Sequence, residues 1–285
     1  MSSDYPHGRG RVRVEAAGIE IEGVSIAGHE SFYKLPGFHV LLEFGRAPDD
    51  TLGYSTICLT HGHLDHAAGL AHHASRRRLA GLPPARVFVP ECAVEDIRQW
   101  TAACERLEDV AYGLEVVPAR VGESFPLRRD LKVEFLPGRH RVPTIGYVFS
   151  EVRTKLKSEF RDLPGAEIAA LRGRGIEVRR VEEIPLLAYP GDCGVEIFEA
   201  APGLFSSKVL LIECSFLLPE DLDRARGYGH LHLDDFVQRA DLFRNEAIVL
   251  THFSQRYRPE EIRTALTRLP AGLSARVVPF LPNPS

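Results

Sequence analysis

Residues 55–70, STICLTHGHLDHAAGL, constrain this chain more than any other stretch. A short apolar run ends in His61-x-His63-x-Asp65-His66, and small residues opening a helical pattern follow. Packing does not call for four metal-competent side chains within six residues at the mouth of a buried strand. Neutral imidazoles and an ionised carboxylate suit zinc, and a strand-to-helix corner aims alternate side chains at one point. Asp65 also falls near the start of the helix, where negative charge is favoured.

The rest of the chain reads as an α/β frame for that corner. At 285 residues it has room for one large domain or two modest ones. No apolar run approaches the roughly 18 residues of a spanning helix, so no membrane partner is expected. The first residues lack the apolar core of a secretory signal. Five scattered cysteines, forming no close pair, fit reduced thiols and a cytoplasmic location. The net charge of −4 means that a nucleic-acid partner would need a local basic surface. Alternating apolar runs predict short strands over 11–45, 86–90, 114–117, 131–136, 144–152, 186–189, 208–213, 247–250 and 276–278. Helical spacing predicts helices over 66–80, 94–107, 195–200, 219–226, 233–243 and 259–269. Trp100 shares its helical face with Ile97, Cys104 and Leu107, which reads as core and not as a base-stacking platform.

Three further ligand candidates follow from position. His140 comes after a Pro-Gly turn, Asp192 after Tyr-Pro-Gly and His252 at the end of a strand. With His61, His63, Asp65 and His66 they make seven, enough for two zinc ions sharing one carboxylate. His7, His29, His39, His72, His73 and His232 lack this combination of neighbours and read as surface or core. The runs ICLTHGH and IVLTHFS echo each other, as if a second half repeated the first and brought two strand ends to one edge. Between 153 and 182 basic residues outnumber acids and glycines punctuate the run, which reads as an inserted arm carrying one helix near 165–171.

The motif THGHLDH resembles the signature of the metallo-β-lactamase superfamily. The stretches HRVPTIGY, YPGDCG, LIECSF, GYGHLH and THFSQRY, in that order, resemble its ribonuclease Z family, the short plant-type forms above all. The resemblance covers nearly the whole chain. It implies an αββα sandwich over 1–285, two mixed sheets flanked by helices, with 153–182 as a tRNA-binding arm. It also implies that His61, His63 and His140 hold one zinc, that Asp65, His66 and His252 hold the other, and that Asp192 bridges them. Manganese or another divalent ion is the alternative to zinc. Asp65 would orient or deprotonate the attacking water, His230 would protonate the leaving ribose oxygen and Arg256 would contact a phosphate. Glu213 and Thr144 are the groups expected to orient ligands, and Lys155, Lys157 and Arg161 those expected to grip RNA. The activity implied is removal of 3′ extensions from precursor tRNA, leaving a 3′ hydroxyl, by a homodimer. The shorter arm, and IAGHESFYKLPG in place of the usual N-terminal loop, bear on substrate choice. Two other readings use the same residues. One is a phosphodiesterase for small diesters; the other is a non-catalytic RNA-binding member of a processing complex.

Overall fold

The chain alternates its pairing twice in the same way. A computed structural model describes residues 5–46 and 48–283. One seven-stranded sheet runs in chain order: β1 Val12–Ala16, β2 Ile19–Ile26, β3 Glu30–Leu35, β4 Val40–Leu42, β5 Thr56–Cys58, β6 Arg86–Pro90 and β7 Glu115–Ala119. Its first three pairings are antiparallel and its last three parallel. The second sheet repeats that succession with β8 Ser124–Arg128, β9 Leu131–Pro137, β10 Ile145–Leu156, β11 Arg179–Tyr189, β12 Val209–Glu213, β13 Ala247–Thr251 and β14 Val277–Pro279. The residues 124–128, not expected as a strand, pair through the β8–β9 hairpin.

The two sheets face each other across one core, in which Tyr33, Cys58 and Phe88 of the first meet Phe149, Tyr189 and Val249 of the second. The outer face of the first sheet is covered by α1 Leu64–Ala67, α2 Leu70–Leu79 and α3 Val94–Glu108. Helix α4 Gly165–Gly173 caps the arm. On the second sheet lie α5 Ile197–Ala200, α6 Leu222–Tyr228, α7 Leu233–Gln238, α8 Pro259–Leu266 and α9 Ala271–Ser274. This is the αββα sandwich. Strands β12 and β13 are buried along their whole length because helices cover one face and the facing sheet the other, hence their continuous apolar sequences.

Several local expectations need correction. The echo between ICLTH and IVLTH does not join equivalent strands: β5 is fifth in its sheet and β13 sixth in its own. Both are interior parallel strands, and burial on two faces selects the same residues without equivalence. The helix expected over 66–80 begins two residues earlier and breaks at Gly69, where a Cβ would lie 2.6 Å from the Arg46 carbonyl carbon. The helix expected over 233–243 stops at Gln238 and passes into a 3₁₀ turn, Ala240–Leu242. The arm is the outer part of the β10–β11 hairpin, with Arg153 opposite Glu182 at its base.

Candidate metal centre

The seven candidates converge where the carboxyl ends of the parallel strands from both sheets meet. His61, His63, His140 and Asp192 offer ligand atoms within 4.8 Å of one another, and so do Asp65, His66 and His252. Asp192 joins the groups: its Oδ2 lies 3.8 Å from His61 Nε2, 3.4 Å from His66 Nε2 and 3.4 Å from His252 Nε2. Asp65 Oδ2 is 3.6 Å from His66 Nε2 and accepts from Gly28 N at 2.9 Å. Gly191 (φ +71°) lets the Asp192 turn approach the first sheet, since a Cβ there would lie 2.5 Å from Thr60 Oγ1.

Each half orients its ligand through the same kind of relay. In the first, the buried Glu43 accepts from Thr60 through N (3.1 Å) and Oγ1, and Thr60 Oγ1 in turn lies 2.9 Å from His61 Nδ1. In the second, the buried Glu213 accepts from Ser215 Oγ at 2.6 Å, and Ser215 Oγ lies 3.0 Å from His252 Nδ1. With Nδ1–H donating to a hydroxyl, each imidazole presents the Nε2 lone pair to the cluster. His140 is set in the same sense by the Gly229 carbonyl, 2.9 Å from its Nδ1. Glu43 also lies 3.4 Å from His66 Nδ1 and accepts from the Tyr189 hydroxyl at 3.1 Å. The sequence reading missed Glu43, Thr60 and Ser215. Their signal was weak: each is one polar residue just beyond an apolar run.

The donor set fits divalent cations. Burial holds His61, His63 and His140 below the ordinary histidine range, which leaves them neutral, as ligands must be. Burial alone would raise the Asp192 carboxyl, but positive charge on the adjoining His252 and His66 outweighs it, a role that a bound cation would take over with those imidazoles neutral. His140 Nε2 is buried without a hydrogen-bond partner among the described residues, an orphan that a cation would satisfy. Nitrogen and carboxylate donors of this kind suit zinc and its neighbours.

His252 sits at the end of β13 in the left-handed region (φ 56°). The backbone there is over-determined: Ser25 Oγ accepts from His252 N at 3.0 Å, and the buried Arg9 donates to the carbonyls of Phe253 (2.8 Å) and Ser254 (2.7 Å). Arg9, another residue that sequence reasoning missed, thus ties an early segment of the chain to the loop after the last ligand candidate.

The remaining expected residues are placed as follows. His230 Nδ1 lies 2.7 Å from Glu213 Oε1; burial would lower its pKa, but that carboxylate outweighs burial and raises it to about 9. Arg256 is exposed on the wall of a cavity of about 280 Å³ that His230 also lines. Glu213 makes the contacts expected of an orienting group. Thr144 does not, because its hydroxyl donates to the Val142 carbonyl at 2.9 Å and not to a ligand. In the arm, Lys155 pairs with Glu182 at 2.5 Å and Lys157 with Glu177 at 3.9 Å, whereas Arg161 has no ion pair among the described residues. Trp100 is half-buried and packs against two apolar clusters, as its helical spacing implied, whereas Leu107, expected on the same core face, lies in the last turn of α3 and is 88% exposed. None of the described helices is long and apolar enough to cross a membrane.

A β-lactamase superfamily domain model matches residues 36–253. The chain is 33% identical over 267 residues to tRNase Z TRZ1 of Arabidopsis thaliana, covering 93% of this chain and 95% of that one. It is 32% identical over 288 residues to tRNase Z TRZ2, chloroplastic, of the same organism, covering 98% of this chain and 81% of that one. The crystal structure of human tRNase Z, short form, superposes with a TM-score of 0.56 at 20% identity, over 82% of this chain and 91% of that one, a likeness of fold. Sequence and architecture agree on one assignment: this chain belongs to the tRNase Z family of the metallo-β-lactamase superfamily.

Proposed function

We propose that the protein is an endoribonuclease that removes 3′ extensions from precursor tRNA, using two zinc ions per subunit. The observation that carries this reading is Asp192, placed between two three-residue donor groups in a chain similar to tRNase Z over nearly its full length. Two divalent ions held there would polarise the scissile phosphodiester and supply a nucleophilic water at neutral pH. Asp65, whose Oδ2 faces the cluster, accepts the proton of the attacking water. As the new P–O bond forms, the bond to the ribose O3′ breaks. His230 donates a proton from Nε2 to that oxygen and leaves a 3′ hydroxyl, its other nitrogen being held by Glu213. Arg256 meets a phosphate oxygen with a guanidinium that has no ion pair among the described residues.

The arm brings RNA to the site, Arg161 acting as its free charge and Lys155 and Lys157 as charges shared with glutamates. A homodimer belongs to this reading, supported by Leu64, Leu79 and Leu107, 72%, 78% and 88% exposed on the helices of the first half. So does a reducing compartment, the cytoplasm, in which the five cysteines stay free. The test incubates purified protein, with its metal content measured, with 3′-extended precursor tRNA and a small chromogenic diester. Cleavage of the precursor at a single site, abolished in Asp65→Ala, is expected. Hydrolysis of the diester alone would make the protein a small-molecule phosphodiesterase, and RNA binding without any hydrolysis would make it a scaffold.

A further inference from the structure

The cavity beside His230 carries groups that the cleavage step leaves unused. Besides Arg256, its walls include Arg224 and Tyr228. Tyr228 is the last residue of α6 and is 52% exposed, and it belongs to none of the apolar clusters. Its placement is nonetheless fixed. The next residue, Gly229 (φ +72°), gives its carbonyl to His140 Nδ1 at 2.9 Å, and His230 N donates to the Ala225 carbonyl at 2.9 Å. A ring without a packing role is thus held one residue from a metal-ligand contact and two from the proton donor. Arg224 has one loose ion pair, 3.6 Å from Asp221, and its side chain is 38% exposed. An aromatic ring and two guanidinium groups on the walls of one cavity are the combination that stacks a base while neutralising phosphates.

We infer that this cavity binds the last nucleotide the product retains, the one whose O3′ receives the proton from His230. Tyr228 stacks on its base, and Arg224 joins Arg256 on the backbone phosphates. Side and register follow from the chemistry, because the leaving oxygen must lie within reach of His230 and the base attached to that ribose then falls into the space Tyr228 lines. A stack reads the base by surface and not by hydrogen bonds, so the site tolerates any base but not its absence. This inference rests on the RNA-cleavage reading above.

The test pairs a protein change with a substrate change. A precursor tRNA lacking the base of its last retained nucleotide should lose roughly tenfold or more in kcat/KM with the wild-type holoenzyme, the size of a lost base–aromatic stack. Tyr228→Ala should lose a similar factor on the intact precursor and nothing further on the abasic one, and Tyr228→Trp should restore the preference. Arg224→Ala should reduce the slope of log affinity against log salt by about one. An abasic penalty that persists undiminished in Tyr228→Ala overturns the inference while leaving the nuclease reading intact. If wild-type protein leaves precursor tRNA uncut, the nuclease reading fails, and the cavity is judged by fluorescence anisotropy on metal-free protein. The probe is then a short RNA with a 3′ hydroxyl, with and without its terminal base. Weaker binding on loss of the base, seen in the wild type and not in Tyr228→Ala, supports the site; identical behaviour of the two proteins overturns it.

Discussion

Arg9 gives the sharpest test of how the site is held. Its guanidinium is buried with no carboxylate partner among the described residues, and burial lowers its pKa to about 10. What retains it is a set of carbonyls: Ser254 at 2.7 Å, Phe253 at 2.8 Å and, more distantly, Ser25 at 3.4 Å. Hydrogen bonds from a charged donor each contribute about 1.5–3 kcal/mol net, so Arg9→Ala, which removes the two short ones, should cost about 3–6 kcal/mol. That is a large part of the roughly 5–15 kcal/mol that separates most domains from unfolding. Arg9→Lys, with one ammonium able to reach a carbonyl, should recover about half of the loss. Urea unfolding monitored by Trp100 fluorescence measures the stability. Titration of zinc against a chromophoric chelator measures whether the loop still presents His252. One of the two ions should bind more weakly in Arg9→Ala, because the left-handed backbone at His252 loses the contacts that hold it. A loss below about 1 kcal/mol with both zinc affinities unchanged would refute the reasoning, since two charge-assisted bonds cannot be worth so little.

Glu43→Gln and Glu213→Gln should each weaken zinc binding about 10- to 100-fold, as outer-shell changes do, and inductively coupled plasma measurements on dialysed protein would register it. Equal metal content in wild type and both variants would show that the relays do not orient their imidazoles. His73 Nε2 donates to the Tyr54 carbonyl at 3.1 Å, and burial pushes its pKa down to about 4 from the ordinary 6.5. Between those values the unfolded chain takes up a proton that the native state refuses. Its contribution is therefore complete above pH 6.5 and falls by about 3 kcal/mol as the pH drops toward 4. The stability gap between wild type and His73→Leu should narrow accordingly, and a gap constant with pH contradicts the assignment. In the arm, Arg161→Ala should weaken tRNA binding and its salt sensitivity more than Lys155→Ala, whose charge Glu182 already shares; filter binding at several salt concentrations would show the reverse order if the ion pair were irrelevant.

The seven candidates that the fold brings together were legible in the sequence because metal chemistry restricts residue type and spacing together. His61, His63, Asp65 and His66 lie within one corner, His140 and Asp192 each follow a strand with a turn signal, and His252 ends a strand. The layer order came from the family resemblance of the motifs, and the uniformly apolar β12 and β13 agree with it, being covered on both faces. The groups behind those candidates were not legible. Glu43 and Ser215 are single polar residues whose partners lie 17 and 37 positions away, a separation no local pattern carries. Arg9 is similar, a cation in a polar opening segment whose acceptors are backbone atoms 244 and 245 residues distant. Thr144 shows the opposite error: a polar residue near a ligand in sequence, whose hydroxyl turns to its own loop. The echo of ICLTH and IVLTH pointed to two strand ends at one edge, which meet there, but not to equivalent strands, because a strand's sequence records how deeply it is buried and not its place in the order.

The clamp between Arg9 and the loop after His252 also bears on when the protein can act. Of the seven metal-binding candidates, His252 is the last to leave the ribosome, and the residues that lock its backbone follow at 253 and 254. A nascent chain that has made only the first sheet holds four of the seven candidates and, for Arg9, the distant Ser25 carbonyl but neither of the two close acceptors. Synthesis must therefore pass β13 of the second sheet before the opening segment finds its two close acceptors, and hydrolytic competence arrives late. A half-made copy emerging among cellular RNAs is thereby kept inert by its own topology.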